Sequence, residues 1–302
     1  MHILVIGQAG QLAQSLADRA GARATITLLG RPALDLTSAH AAAQLARAPR
    51  PDAIINAAAY TAVDRAEGDA DAAFAINAGG VAMVAAQAAT WGVPMLHAST
   101  DYVFAGDNHA PYRVDDAPAP LGVYGASKWA GEQSLAASGA DYAIIRTAWL
   151  YSPFAANFVK TMLRLAQKNP VVRVVADQFG GPTSALDLAD AMLAMLARWP
   201  VGGCRRTYHF ANGGRASWAD FATEVFALAT AHGLPAASVT PITTAQYPTP
   251  ARRPASSLLD MGALSADFAI NPRPWRAALA SLFDRADFRA EFSADCAGDL
   301  PR

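Results

Sequence analysis

Five short, almost uninterrupted apolar runs, separated by alanine-rich stretches, fill the first half of the chain. This alternation constrains the fold more than any other feature. The runs 2–6, 24–29, 53–56, 93–98 and 142–146 read as strands, and segments near 11–20, 39–47, 70–91 and 127–138 read as helices. Strands that are apolar on both faces must be covered on both faces, which predicts an α/β fold with a doubly wound parallel sheet. Such a sheet opens a ligand crevice at the carboxyl ends of its strands, where the strand order reverses. Beyond Trp149 the pattern loosens. Helices are expected near 157–168, 184–197 and 218–231, with a strand at 171–176, a Gly180-Gly181-Pro182 turn and a proline-rich loop, Tyr247-Pro248-Thr249-Pro250. We therefore expect a first domain over residues 1–150 and a smaller C-terminal lobe over 151–302, partly interleaved with it.

Composition agrees with a large self-sufficient core. Of 302 residues, 53% are apolar and 16% charged, which argues against disorder and removes the need for disulfide or metal staples. A formal net charge of −1 provides no basic field for nucleic acid or anionic lipid. Cys204 and Cys296 stand far apart outside any C-x-x-C pair, and the histidines form no H-x-x-x-H spacing. That pattern predicts no metal cage and a reducing, cytoplasmic compartment. The N-terminus runs directly into Gly7 and reads as a strand rather than a signal peptide. Residues 72–100 carry no charged side chain and are long enough to span a bilayer. Asn77, Gly79-Gly80, Gln87 and Gly92-Val93-Pro94 instead divide them into an Ala-rich helix and a buried strand.

Every candidate motif falls just after a strand. Gly7-Gln8-Ala9-Gly10-Gln11-Leu12 closes the first strand and opens the first helix. Glycines there permit a tight turn and close approach of a pyrophosphate to the free N–H groups of the helix. The spacing departs from G-x-G-x-x-G, so position after an N-terminal buried strand is what carries the dinucleotide reading. At the end of the second strand, Leu29-Gly30-Arg31 offers no acid for a ribose 2′-hydroxyl. Arg31 is placed to pair with a 2′-phosphate or is a solvated loop residue, so NADPH is favoured and NADH stays open. Asp35 and Leu36 are candidates for the adenine side. Ala57, Ala58 and Ala59 leave room for cofactor against backbone, although close packing explains three alanines equally well.

At the other end of the crevice, Ser99-Thr100-Asp101 ends a strand. Tyr124 follows, with Lys128 four positions on, a spacing that puts both on one helix face. Hydride reduction of a carbonyl leaves charge on oxygen, so a positioned acid must supply a proton. An ammonium about 4 Å from the phenol, at an effective dielectric of about 20, is expected to favour phenolate by roughly 4 kcal/mol. A Y-x-x-x-K pair alone arises by chance; behind a dinucleotide turn and a strand-end Ser-Thr it reads as catalytic, with Thr100 on the substrate carbonyl.

These motifs resemble those of the extended short-chain dehydrogenase/reductases, whose core is a Rossmann-type doubly wound sheet. More narrowly, the chain is similar to the dTDP-4-dehydrorhamnose reductases along nearly its whole length. The likeness runs through residues 7–12, 56–64, 99–104, 124–132 and 146–151, then 157–158, 177–180, 182–183, 247–250 and 253–254. It implies reduction of the C4 keto group of dTDP-4-dehydro-L-rhamnose by NAD(P)H, with Tyr124 as proton donor, Lys128 holding cofactor and Thr100 assisting. It also implies that Thr100, Asp101, Trp149, Gln178 and Arg253 face the nucleotide sugar. Trp149 and Arg253 have ordinary packing and surface readings too, and Asn77 reads as a bracing hydrogen bonder. Relatives often carry an acid where Gly30 stands. Some use magnesium with C-terminal glutamates at a dimer contact. Glu291 amid Asp284, Asp287 and Asp295 forms no clear ligand set, so magnesium and a homodimer stay open.

Two rival readings are a sugar-nucleotide epimerase that retains NAD and a non-catalytic NADP-binding regulatory subunit. A dehydratase would place Asp-Glu after the strand-end threonine, whereas Asp101 is followed by Tyr102. A regulatory chain has no need of Tyr124, Lys128 and Thr100.

Overall fold

In the computed structural model, which describes residues 1–108 and 110–293, the five apolar runs are neighbours in one sheet. They are β1 (His2–Ile6), β2 (Thr25–Leu29), β3 (Ala53–Asn56), β4 (Met95–Thr100) and β5 (Tyr142–Thr147). Adjacent strands all run parallel, in the order β2-β1-β3-β4-β5, with Ile3 beside both Ile26 and Ala53. Side chains alternate across the sheet. Ile3, Val5, Ile55, Leu96 and Ile145 enter one core layer, and Leu4, Ile6, Ile54, Met95 and Ile144 the other. Both faces are thus apolar, as continuous hydrophobic strands require. The order reverses between β1 and β3, which places the crevice at their carboxyl ends.

Helix α1 (Gln11–Ala20) covers the first face through Leu12, Ala13 and Leu16. On the second face, α2 (Ala41–Ala46) and α3 (Gly80–Trp91) contribute Leu45, Val81, Val84, Ala85 and Ala88. The uncharged segment therefore divides as expected. Its 22 helical residues, Ala70–Trp91, are long and apolar enough by composition to cross a membrane. In the fold, they are interrupted by a π-helical turn at Ala75–Gly79, and α3 lies on the sheet. β4 starts at Met95 because Pro94 has no N–H to give to a ladder. The helix expected from Ser127 begins earlier: α4 spans Val123–Ala136 and takes Tyr124 into its first turn.

The second half of the chain is more regular than its sequence suggested. After α5 (Phe158–Ala166) and β6 (Val171–Val175), helix α6 (Ala185–Ala197) returns to the first face of the sheet. There Leu188, Met192 and Met195 pack in the layer that holds Ile3 and Val5. Strand β7 (Arg206–Phe210) then extends the sheet beside β5, pairing Arg206 with Ala143 and Phe210 with Thr147. Its polar start, Arg206-Thr207, lies at a sheet edge, where one apolar face is not required. A separate core gathers α5, α7 (Trp218–Ala231) and α8 (Trp275–Phe283) through Val159, Leu163, Phe221, Val225, Leu279 and Phe283. A capping box, Ser217 with Asp220, starts α7. Beside this core β6 pairs in parallel with β8 (Ser238–Ile242). Asp295 and Cys296 lie outside the described residues.

Candidate active site

The turn after β1 is shaped by close approach. Gly7 has φ +114°, and a Cβ there would lie 3.2 Å from the Ala58 nitrogen, so a side chain would strain the backbone and crowd the β3 exit. Gly10 caps α1 without a side-chain hydrogen bond, leaving first-turn N–H groups for a ligand. Gly10, Gln11 and Leu12 line a cavity of about 460 Å³, together with Ala57 and Ala59. Ala58 instead turns inward, its N–H donating to Asn56 Oδ1 at 3.2 Å. A narrow, donor-rich cradle of this kind fits a dinucleotide pyrophosphate. Arg31 is exposed beyond β2. Asp35 accepts from the Thr37 backbone and hydroxyl at 3.0 and 2.7 Å, which, helped by Arg31, holds its carboxyl low. Leu36 packs against Gly80 of α3. None of these three lines the cavity.

The same cavity holds Thr100, Asp101, Tyr124, Lys128 and Trp149. Thr100, the last residue of β4, donates to Asp101 Oδ1 at 3.0 Å and accepts from the Tyr102 N–H at 3.2 Å. Tyr102 meets the Tyr124 ring edge-on, at 5.5 Å and 72°. Burial pushes the Tyr124 phenol up to about 12, against the smaller opposing effect of Thr100. Burial likewise raises Asp101 to about 6, and lowers Lys128 to about 8 while Glu132 works the other way.

The expected ammonium–phenol contact is not the arrangement found. Lys128 Nζ donates to the Ala98 carbonyl at 2.7 Å and lies 3.3 Å from His97 Nε2. Desolvation, not the lysine charge, sets the phenol, so Tyr124 is protonated at neutral pH.

Helix α4 is locked to the sheet by polar groups. Glu132 accepts from Arg146 of β5 at 2.7 and 3.0 Å and from Ser99 of β4 at 2.5 Å. The Arg146 guanidinium sits 4.9 Å from the Phe104 ring centroid and 5.8 Å from that of Trp129. From the π-turn, Asn77 binds both Tyr60 backbone groups, at 2.8 and 3.1 Å, and the Ser127 hydroxyl at 2.9 Å. It therefore braces the loop after β3 against α4. Of these, His97, Glu132 and Arg146 went unassigned in the sequence reading. Their one available signal was a polar residue inside an apolar run, or one turn beyond Lys128.

Gln178 and Arg253 occupy a second, larger cavity of about 620 Å³, which Asp64, Phe158, Val174 and Trp218 also line. Arg253 grips Asp64 with two bonds of 2.6 and 2.7 Å, and Gln178 donates to Thr244 Oγ1 at 3.1 Å. The two cavities meet at a stacked pair, Trp149 and Trp218, 3.5 Å apart and within 7° of parallel. Trp149 adopts φ +48°, uncommon for a bulky residue. Among the described residues, no group of three or more His, Cys, Asp or Glu is placed to hold a metal ion. Glu291 is engaged by Lys160 and Arg164, and Asp287 by Arg285.

Comparison with known proteins gives one answer. The family model described as the RmlD substrate binding domain matches residues 1–288. A dTDP-4-dehydrorhamnose reductase of Sinorhizobium fredii is 43% identical over 278 residues, covering 91% of this chain and 94% of its own length. The Escherichia coli dTDP-4-dehydrorhamnose reductase is 40% identical over 291 residues, with 91% and 95% covered. Among solved structures, dTDP-4-dehydrorhamnose reductase from Bacillus anthracis, in complex with NADP, superposes with a TM-score of 0.87 at 35% identity, covering 94% of this chain and 98% of that one. With its Rossmann-type sheet and its crevice between β1 and β3, the chain belongs to the RmlD family of dTDP-4-dehydrorhamnose reductases, NAD(P)H-dependent oxidoreductases.

Proposed function

We propose that this chain reduces the C4 keto group of dTDP-4-dehydro-L-rhamnose to give dTDP-L-rhamnose, with NADPH as the preferred cofactor and Tyr124 as the proton donor. The observation that carries the reading is the convergence of Thr100, Tyr124 and Lys128 on the cavity that the α1 N-terminus opens into. Bound NAD(P)H supplies the hydride. Tyr124 supplies the proton: its phenol, pushed up to about 12 by burial, stays protonated at neutral pH and is an acid until charge develops on the sugar oxygen. Thr100 lines the same cavity as Tyr124 and offers its one hydroxyl proton, held by Asp101, to the same carbonyl. Lys128, charged below about pH 8 and held by the Ala98 carbonyl, presents a donor to the cofactor ribose.

Asp101 and Trp149 shape the sugar end. Gln178 and Arg253 serve the nucleotide end across the Trp149–Trp218 wall. Asp64 and the Ala251 carbonyl occupy three of Arg253's five N–H donors, leaving Nε–H and one Nη2–H for a diphosphate. Gly10, Gln11, Leu12, Ala57 and Ala59 form the cofactor cradle, and the close approach of Gly7 to Ala58 shapes it from behind. Exposed Arg31 supports a 2′-phosphate, as does the NADP in the Bacillus anthracis relative. Low cysteine content supports a cytoplasmic site of action.

Purified protein mixed with dTDP-4-dehydro-L-rhamnose and NADPH is expected to consume the reduced nicotinamide absorbance and release dTDP-L-rhamnose, more slowly with NADH. Cofactor binding without ketosugar-dependent oxidation would overturn the assignment.

A further inference from the structure

We infer that His97 is a positioning residue for Lys128: as a neutral acceptor on β4, it fixes the direction in which the lysine ammonium points into the cavity. The inference rests on the reading of Lys128 as the residue that holds the cofactor. An ammonium has three donors and no acceptor, and its flexible four-carbon stem otherwise lets it turn freely. Ala98 O takes one donor at 2.7 Å, and His97 Nε2 lies 3.3 Å from the same nitrogen. Because the lysine can only donate, Nε2 is the accepting atom and the ring proton sits on Nδ1. The third N–H is left for the cavity that Lys128 lines. Both acceptors belong to a strand paired on both sides, with β3 and β5, so neither drifts.

The surroundings favour this role over simple packing. His97 is fully buried beside Asn56, its register partner on β3. Burial and the neighbouring Lys128 charge hold the ring well below its ordinary pKa, so it stays neutral. Glu132, one turn beyond Lys128, is no substitute acceptor, because Arg146 and Ser99 occupy its carboxylate.

The test is NADPH affinity, by fluorescence titration, for the wild type, His97→Leu, His97→Asn, His97→Gln and Lys128→Met, each with a melting temperature. His97→Leu is expected to raise the NADPH Kd about tenfold, about 1.4 kcal/mol, without lowering the melting temperature. Gln carries its amide at the position of Nε2 and is expected to restore affinity; Asn stops nearer Nδ1 and is expected not to. Wild-type affinity in His97→Leu, or equal affinity in the Asn and Gln variants, would overturn the role of His97. Should the leucine variant not fold, the Asn–Gln difference decides alone. Unchanged NADPH affinity in Lys128→Met would instead overturn the reading of Lys128 itself, and the inference with it.

Discussion

The two cavities are built from opposite materials. Around Tyr124, the polar groups stand on the ends of central strands and on α4: Thr100, Asp101 and Lys128 are all buried. That helix is tied down by Glu132, Arg146, Ser99 and Asn77. Around Arg253 the lining comes from loops, a small outer sheet and one face of α5, with Phe158, Thr161, Met162 and Leu165. The Asp64–Arg253 pair is 40% and 21% exposed, and Tyr247 is 60% exposed. On the proposed assignment, reaction chemistry falls where backbone geometry allows little adjustment, and selection of the nucleotide where side chains can be exchanged at small cost to the fold.

Breaking the first region should have the larger consequences. Tyr124→Phe removes the proposed proton source and is expected to lower kcat by about 10²- to 10⁴-fold. Its NADPH affinity should be intact; a wild-type kcat would refute the assignment. Glu132→Ala leaves Arg146 buried without its partner, and urea unfolding should show a loss of about 3–5 kcal/mol. Asp64→Ala, in the exposed pair, should cost no more than about 1 kcal/mol while raising KM for the nucleotide sugar. If both acid substitutions cost the same stability, the contrast between the regions fails.

Acidity sharpens the same comparison. The folded-state pKa of Lys128 lies below the ordinary lysine value, at about 8. The ammonium is therefore present below that pH and lost above it. NADPH affinity should fall as pH rises through 8, by up to about tenfold per unit, while dTDP binding beside Arg253, which stays charged, should hold steady in equilibrium titrations. The smallest effect expected is that of Arg31→Ala. At an exposed site, the NADPH-over-NADH preference in kcat/KM should drop by about five- to tenfold, corresponding to about 1 kcal/mol.

Much of this was legible in the sequence, for identifiable reasons. β1, β3 and α1 fall where expected because continuous apolar runs and a Gly-rich turn are local signals. Tyr124 and Lys128 were recognisable because a four-residue spacing puts them on one helix face, and Gly10 and Thr100 because each follows an apolar run. β7 was missed because an edge strand beginning Arg206-Thr207 carries half the usual pattern. The Glu132 network was missed because its partners lie 14 and 33 residues away. Nor does spacing reveal where a lysine head points. Tyr124 and Lys128 lie on one helix face, yet β4, not the phenol, holds the ammonium.

The Trp149–Trp218 stack has an optical consequence. Two indoles 3.5 Å apart and nearly parallel couple their near-ultraviolet transitions and report jointly on their separation. A ligand that parts or tightens them alters near-ultraviolet circular dichroism and fluorescence before any hydride moves, so occupancy of the cavities on either side can be followed in the unreactive protein.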